Sequence, residues 1–152
     1  MIGILLAGCA NTPRQGYAGP ALSDAETALI QVSSIEHAVA STDPPGTIGL
    51  RADRPQSRFS IVEIDGENLD AYEVRVLPGG KCVTLRILEG ISQGNNSPFL
   101  VVSSTDSDLC FEAVAGTTYE ARYGFPSAQS SMIWLVDMMT GRTLTEQVVN
   151  AP

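Results

Sequence analysis

The chain has 152 residues and a formal net charge of −8, from nine Lys+Arg against 17 Asp+Glu. A nucleic-acid partner needs clustered cations to neutralise phosphates, and Lys81 is the only lysine here, so the composition argues against nucleic acid. Hydrophobic residues make up 43%, enough for a core. No run approaches the roughly 18 apolar residues of a spanning helix, so any membrane attachment of so acidic a chain is expected to be covalent.

Residues 2–9 read Ile-Gly-Ile-Leu-Leu-Ala-Gly-Cys. The segment Leu6-Ala7-Gly8-Cys9 resembles the bacterial lipobox, in which an aliphatic residue and two small ones precede a cysteine. The resemblance implies a diacylglycerol on the Cys9 thiol, peptidase cleavage just before it, and stable anchoring through the acyl chains. With Ala10 next, it also implies the outer membrane of a Gram-negative envelope as the address. No Lys or Arg precedes Cys9, whereas a secretory n-region carries positive charge, so the natural start is expected upstream of Met1. The alternative is that Ile2–Ala10 is an apolar strand and Cys9 an ordinary thiol.

Ala10–Leu22 is rich in turn formers (Asn11, Pro13, Gly16, Gly19, Pro20) and has no hydrophobic period, which predicts a flexible tether. The organisation expected is a signal remnant over 1–9, a tether over 10–22 and one domain over 23–152. Ser23-Asp24-Ala25-Glu26 matches a capping box. It predicts a short helix from about Asp24 to Val32, in competition with a first strand through Ala28–Ser33. Val39–Arg58, with Pro44, Pro45, Gly46 and Pro55, reads as irregular.

From Arg58 onward the pattern is β. Strands are expected at Arg58–Ile64, Ala71–Leu77, Lys81–Leu88, Phe99–Ser103, Leu109–Val114, Thr117–Tyr123, Met132–Met138 and Arg142–Val149. Asp65-Gly66, Pro78-Gly79-Gly80 and Met139-Thr140-Gly141 supply tight turns, and Glu89–Pro98 a polar loop. About eight short strands with frequent turns, and no amphipathic crossovers between them, predict an all-β antiparallel sandwich.

With Cys9 set aside for lipid, Cys82 and Cys110 remain. Each falls on the polar face of its own alternating strand, where neither serves the core. We therefore expect a Cys82–Cys110 disulfide closing a loop of about 27 residues, worth about 3 kcal/mol by the loop-entropy argument. No Cys-x-x-Cys or neighbouring histidine supports a zinc site instead.

The order Ile64-Asp65-Gly66, Leu77-Pro78-Gly79, Phe111-x-Ala113-x-Ala115-Gly116-x-x-Tyr119 and Asp137-x-x-Thr140-Gly141 resembles PEGA-type and related carboxypeptidase-regulatory-like β-sandwiches. Where such domains carry His or Tyr after Pro-Gly, this chain has Gly80-Lys81-Cys82. The resemblance implies a sandwich fold and an envelope setting, and it brings no catalytic residues.

His37 is the only histidine; a triad would need Ser33, Ser34 or Ser41 with Asp43, and a surface histidine is the simpler reading. The acidic runs Glu63, Asp65, Glu67, Asp70 and Asp106, Asp108 lack calcium-loop spacing and read as solvated turn residues, so no metal or cofactor is expected. Trp134 and Tyr119 are expected in the core. Tyr123-Gly124-Phe125-Pro126 enters an apparent loop, which makes Tyr123 and Phe125 the expected contact residues for a partner. These features suggest a non-enzymatic, acyl-anchored envelope module whose partners are the bilayer and an envelope protein or cell-wall component. A carbohydrate- or peptidoglycan-binding accessory domain is the alternative, and a hydrolase stands third.

Overall fold

A computed structural model describes residues 12–40, 56–91, 98–127 and 129–150. The lipobox, Cys9, and the greater part of the irregular stretch after Val39 lie outside the described residues. Ten strands form two sheets. A six-stranded sheet takes the order β1 (Arg14–Gln15), β5 (Glu73–Val76), β2 (Ala28–Val32), β8 (Thr118–Ser127), β9 (Ser130–Asp137), β10 (Thr143–Asn150). A four-stranded sheet takes the order β4 (Glu67–Ala71), β3 (Gln56–Ile64), β6 (Gly79–Ile91), β7 (Leu100–Ala113). The fold is an all-β sandwich.

Period-2 alternation sorts the side chains. Phe59 and Ile61 of β3, Val83, Leu85 and Ile87 of β6, and Leu109 of β7 point inward from one sheet, and a bulge between Ile61 and Glu63 turns Ile64 inward as well. Val74, Val76, Ile30, Tyr119, Ala121, Ile133 and Leu135 meet them from the other. Each fully buried Leu, Ile or Val contributes roughly 1.5–3 kcal/mol, which makes this shared layer the main source of stability. At the β7–β8 connection the Tyr119 hydroxyl accepts a hydrogen bond from Val114 N at 3.0 Å, a tyrosine corner that fixes how the chain passes between sheets.

Several local signals hold. Asp65 and Gly66 both take positive φ (49° and 85°), the type I′ geometry that joins β3 to β4. Met138–Gly141 closes the β9–β10 hairpin, where Gly141 N donates to Asp137 O at 2.8 Å. Cys82 and Cys110 face each other across β6 and β7 with Cα atoms 4.1 Å apart and form the expected disulfide.

Other expectations are corrected. Only half of the capping box forms: Ser23 N and Oγ both donate to Glu26 Oε2, while Glu26 N donates to the Ser23 carbonyl at 3.1 Å and not to its hydroxyl, and a single turn results. Those bonds also hold the Glu26 carboxyl below its ordinary pKa. Strand β2 follows in place of the helix, because Ala28 and Ile30 enter the core at period 2. Within the expected tether, Arg14 and Gln15 pair parallel to Val74 and Arg75, and Gly16 N donates to Arg75 O at 2.8 Å, so that this short part of it is docked. Pro78-Gly79-Gly80 does not close a hairpin, since β5 and β6 belong to different sheets and the chain arches between them.

The expected strand Ala71–Leu77 is interrupted at Tyr72, with Ala71 ending β4 and Glu73 opening β5. The two strands expected on either side of Ser104–Asp108 are one continuous β7. There the inward positions opposite Ile87 and Leu85 are Thr105 and Ser107, so polar residues occupy both faces and the apolar alternation lapses. The sandwich is also not wholly antiparallel, since β2 pairs parallel to β8 and β1 parallel to β5.

Candidate functional site

The side chains of chemical interest gather where β2 ends. Ser33 N still donates to Ala121 O at 2.8 Å; the chain then loops out and returns so that His37 N donates to Tyr123 O at 2.8 Å. Within that loop His37 Nε2 lies 2.8 Å from the buried Ser33 Oγ, which also contacts Ile35 O at 3.2 Å and accepts from Ile35 N at 3.4 Å. All these contacts are met together when Nε2 carries the proton and donates to Ser33, leaving the hydroxyl hydrogen for Ile35 O. The Ser33–His37 contact ties the two ends of this loop together. His37 is thus half-buried and engaged, in contrast to the surface histidine expected; Asp43 lies outside the described residues.

The returning segment crosses the outer face of β8. A Cβ on Gly124 would collide with His37 O and stand 3.0 Å from Val39 Cγ1, so close backbone approach requires glycine. Trp134, expected in the core, lies half-buried on this outer face, with its ring 5.9 Å from the His37 ring in edge geometry. It shares the face because it stands opposite Arg122 on β8 and Glu146 on β10, the positions that alternate away from Ile133 and Leu135.

Tyr123 and Phe125 are not exposed, in contrast to the expected loop position: both are 4% accessible. Strand β8 continues to Ser127, so Tyr123 and Phe125 keep the inward parity of Tyr119 and Ala121. Tyr123 packs on Phe59 at 4.9 Å and on Phe125 at 6.0 Å between ring centres. Burial first, and the Glu36 carboxylate second, push its hydroxyl above the ordinary phenol pKa.

Above this aromatic floor a cavity of about 300 Å³ opens between the sheets, lined by Ser33, Ser57, Arg58, Phe59, Tyr72 and Tyr123. Tyr72, 62% exposed, stands at its rim and also borders a groove lined by Thr12, Pro13, Arg14 and Asp70. The exposed aromatic beside a groove is therefore Tyr72. It stands in the break between β4 and β5, where the strand alternation that buries Val74 and Val76 does not extend to it.

The outer face of the four-stranded sheet carries a ladder of polar pairs. Beyond the disulfide, Thr84 Oγ1 donates to Asp108 Oδ1 at 2.6 Å. Next along the strands, Arg86 Nε and Nη2 donate to Asp106 at 2.7 and 2.8 Å. The Arg86 hydrogen bonds hold the Asp106 carboxyl below its ordinary pKa. Asp65 takes Cys82 N at 2.9 Å and Lys81 Nζ at 3.3 Å. Three of the six acids in these runs, Asp65, Asp106 and Asp108, are thus engaged by side chains or backbone of β6, and among the described residues no cluster of three His, Cys, Asp or Glu could hold a metal ion.

Compared with known proteins, the chain matches no family model, no curated protein and no solved structure.

Proposed function

We propose that the protein is an envelope lipoprotein, held at a membrane through acylated Cys9, that presents a rigid sandwich as a non-enzymatic binding or assembly module. The observation that carries this reading is the Cys82–Cys110 disulfide on an exposed sheet face. Structural disulfides persist in oxidising compartments, and here one follows a sequence that resembles a lipobox. A PEGA-like relationship fits the sandwich and the envelope setting and stays part of the proposal.

Intact mass spectrometry of the chain expressed with its native upstream codons, with and without reductant, tests the reading. The expected mass is that of a chain cleaved before Cys9 and carrying acyl groups, gaining two protons on reduction. An uncleaved chain with three free thiols would defeat it.

A second reading, a carbohydrate- or peptidoglycan-binding accessory domain, is favoured by the exposed Tyr72 ring beside two grooves. Sedimentation with purified peptidoglycan should then occur and weaken about tenfold in Tyr72→Ala, the loss of one well-placed aromatic contact. No sedimentation of the unaltered protein would remove this alternative.

A further inference from the structure

Two tyrosines of β8 bury their rings in the core, and their hydroxyls fare differently. Tyr119 spends its hydroxyl on Val114 N. Tyr123 is 4% accessible and packed against Phe59 and Phe125, yet its hydroxyl has no hydrogen-bond partner among the described residues. A phenylalanine would fill the same space without stranding a donor, and a buried polar group left unpaired calls for a reason. Among the described residues Ser107 Oγ alone is both unpartnered and sealed from solvent. The Tyr123 hydroxyl therefore reaches open space, and the space that Tyr123 lines is the cavity of about 300 Å³ between the sheets.

The cavity walls set the chemistry of what would enter. Burial, and then the Glu36 carboxylate, hold the phenol in its protonated form, so it is a donor in want of an acceptor oxygen, and an anion is disfavoured beside it. Arg58 also lines the cavity, but it alternates with the inward Phe59, and its guanidinium is stacked over Phe99, 4.1 Å from the ring centre. Aromatic rings and the serines at 33, 34 and 57 are left to meet a ligand. At the mouth, the Tyr72 carbonyl accepts from Val32 N at 3.0 Å, which fixes its backbone while the ring stays 62% exposed. Rings suit a face of C–H groups, hydroxyls suit further hydroxyls, and the volume, at the low end for ligand sites, suits one ring-sized unit. We propose that this cavity binds a single neutral N-acetylated hexosamine unit of a glycan, whose acetamido carbonyl accepts from the Tyr123 hydroxyl and whose ring enters past Tyr72. This rests on the carbohydrate reading above and names the unit recognised.

The test titrates the full chain with N-acetylglucosamine, and with glucose as the sugar that lacks the acetamido group, following amide chemical shifts by NMR. Saturable shifts are expected at Ser33, Ser57 and Tyr72, with glucose about fivefold weaker for want of one hydrogen bond. Tyr123→Phe should weaken N-acetylglucosamine binding by the same factor of about five. Its urea midpoint should match that of the unaltered protein, because the hydroxyl bonds nothing in the free chain. Equal affinity for the two sugars, or undiminished binding in Tyr123→Phe, overturns the role given to the hydroxyl. Sedimentation with peptidoglycan but no binding of N-acetylglucosamine overturns this inference and leaves the carbohydrate reading standing. Neither sedimentation nor binding removes both.

Discussion

The two sheets stabilise their outer faces by different means. On the four-stranded sheet, neighbours in sequence do the work: β6 and β7 pair over their length, and Cys82–Cys110, Thr84–Asp108 and Arg86–Asp106 succeed one another at alternate positions. On the six-stranded sheet, the outer surface is organised by chain brought from elsewhere. Arg14–Gln15 extends its edge beside β5, and on its outer face the Ser33–Val39 segment folds across Gly124. The first face is held by pairwise chemistry that mutation can remove one rung at a time. The second is held by close fit, which fails when a single carbon is added.

The largest effect should come from the ladder's covalent rung. Replacing Cys82 and Cys110 together by alanine should cost about 3 kcal/mol in urea denaturation, and reductant should no longer alter the midpoint. A loss below about 1 kcal/mol would mean that the polar rungs alone carry this face.

Close to it stands Gly124→Val, which drives side-chain atoms into the His37 carbonyl and Val39. A loss of about 2–3 kcal/mol is expected, with faster amide exchange at His37 N, the bond that docks the crossing segment. An unchanged midpoint would show that the segment does not brace the sheet.

Smaller again is Tyr119→Phe. It leaves Val114 N without its 3.0 Å acceptor at the passage between sheets and should cost about 1–2 kcal/mol. Equal stability of the two proteins would deny the tyrosine corner an energetic role.

The smallest effect belongs to the exposed Arg86–Asp106 rung, with side chains 40% and 43% accessible. A double-mutant cycle should give about 0.5 kcal/mol, shrinking in high salt. Arg86 lowers the folded-state pKa of Asp106, so the contribution is present above the unfolded carboxyl pKa of about 3.9. It disappears as the pH falls through the depressed folded value. A coupling that persists at that low pH would contradict the ion-pair account.

The same contrast explains what could be read beforehand. Alternation at Val83, Leu85 and Ile87 against Cys82, Thr84 and Arg86 is a local property, so the strand, its two faces and the disulfide were legible together. Asp65-Gly66 and the Met138–Gly141 turn were legible because type I′ and hairpin turns select their residues within a few positions. The continuous β7 was not, because Thr105 and Ser107 put polar side chains on its inner face. Tyr123 and Phe125 were misplaced because Gly124 and Pro126 imitate a loop, while the glycine in fact serves the crossing segment. Nothing near Ser33 announced that His37 would return to it.

The sequence by itself determined the all-β class, the polar and apolar faces of β6, the disulfide partners and the turns at Asp65-Gly66 and Met139-Thr140-Gly141, since each depends on side-chain period or on residues adjacent in the chain. Tertiary structure alone decided that Arg14–Gln15 is a strand, that β2 lies parallel to β8, that Pro78-Gly79 bridges two sheets, and that Tyr72 rather than Tyr123 faces solvent. Those outcomes depend on pairings between segments far apart in sequence, where the free energy lies in shared burial and no local pattern records which partner will be met.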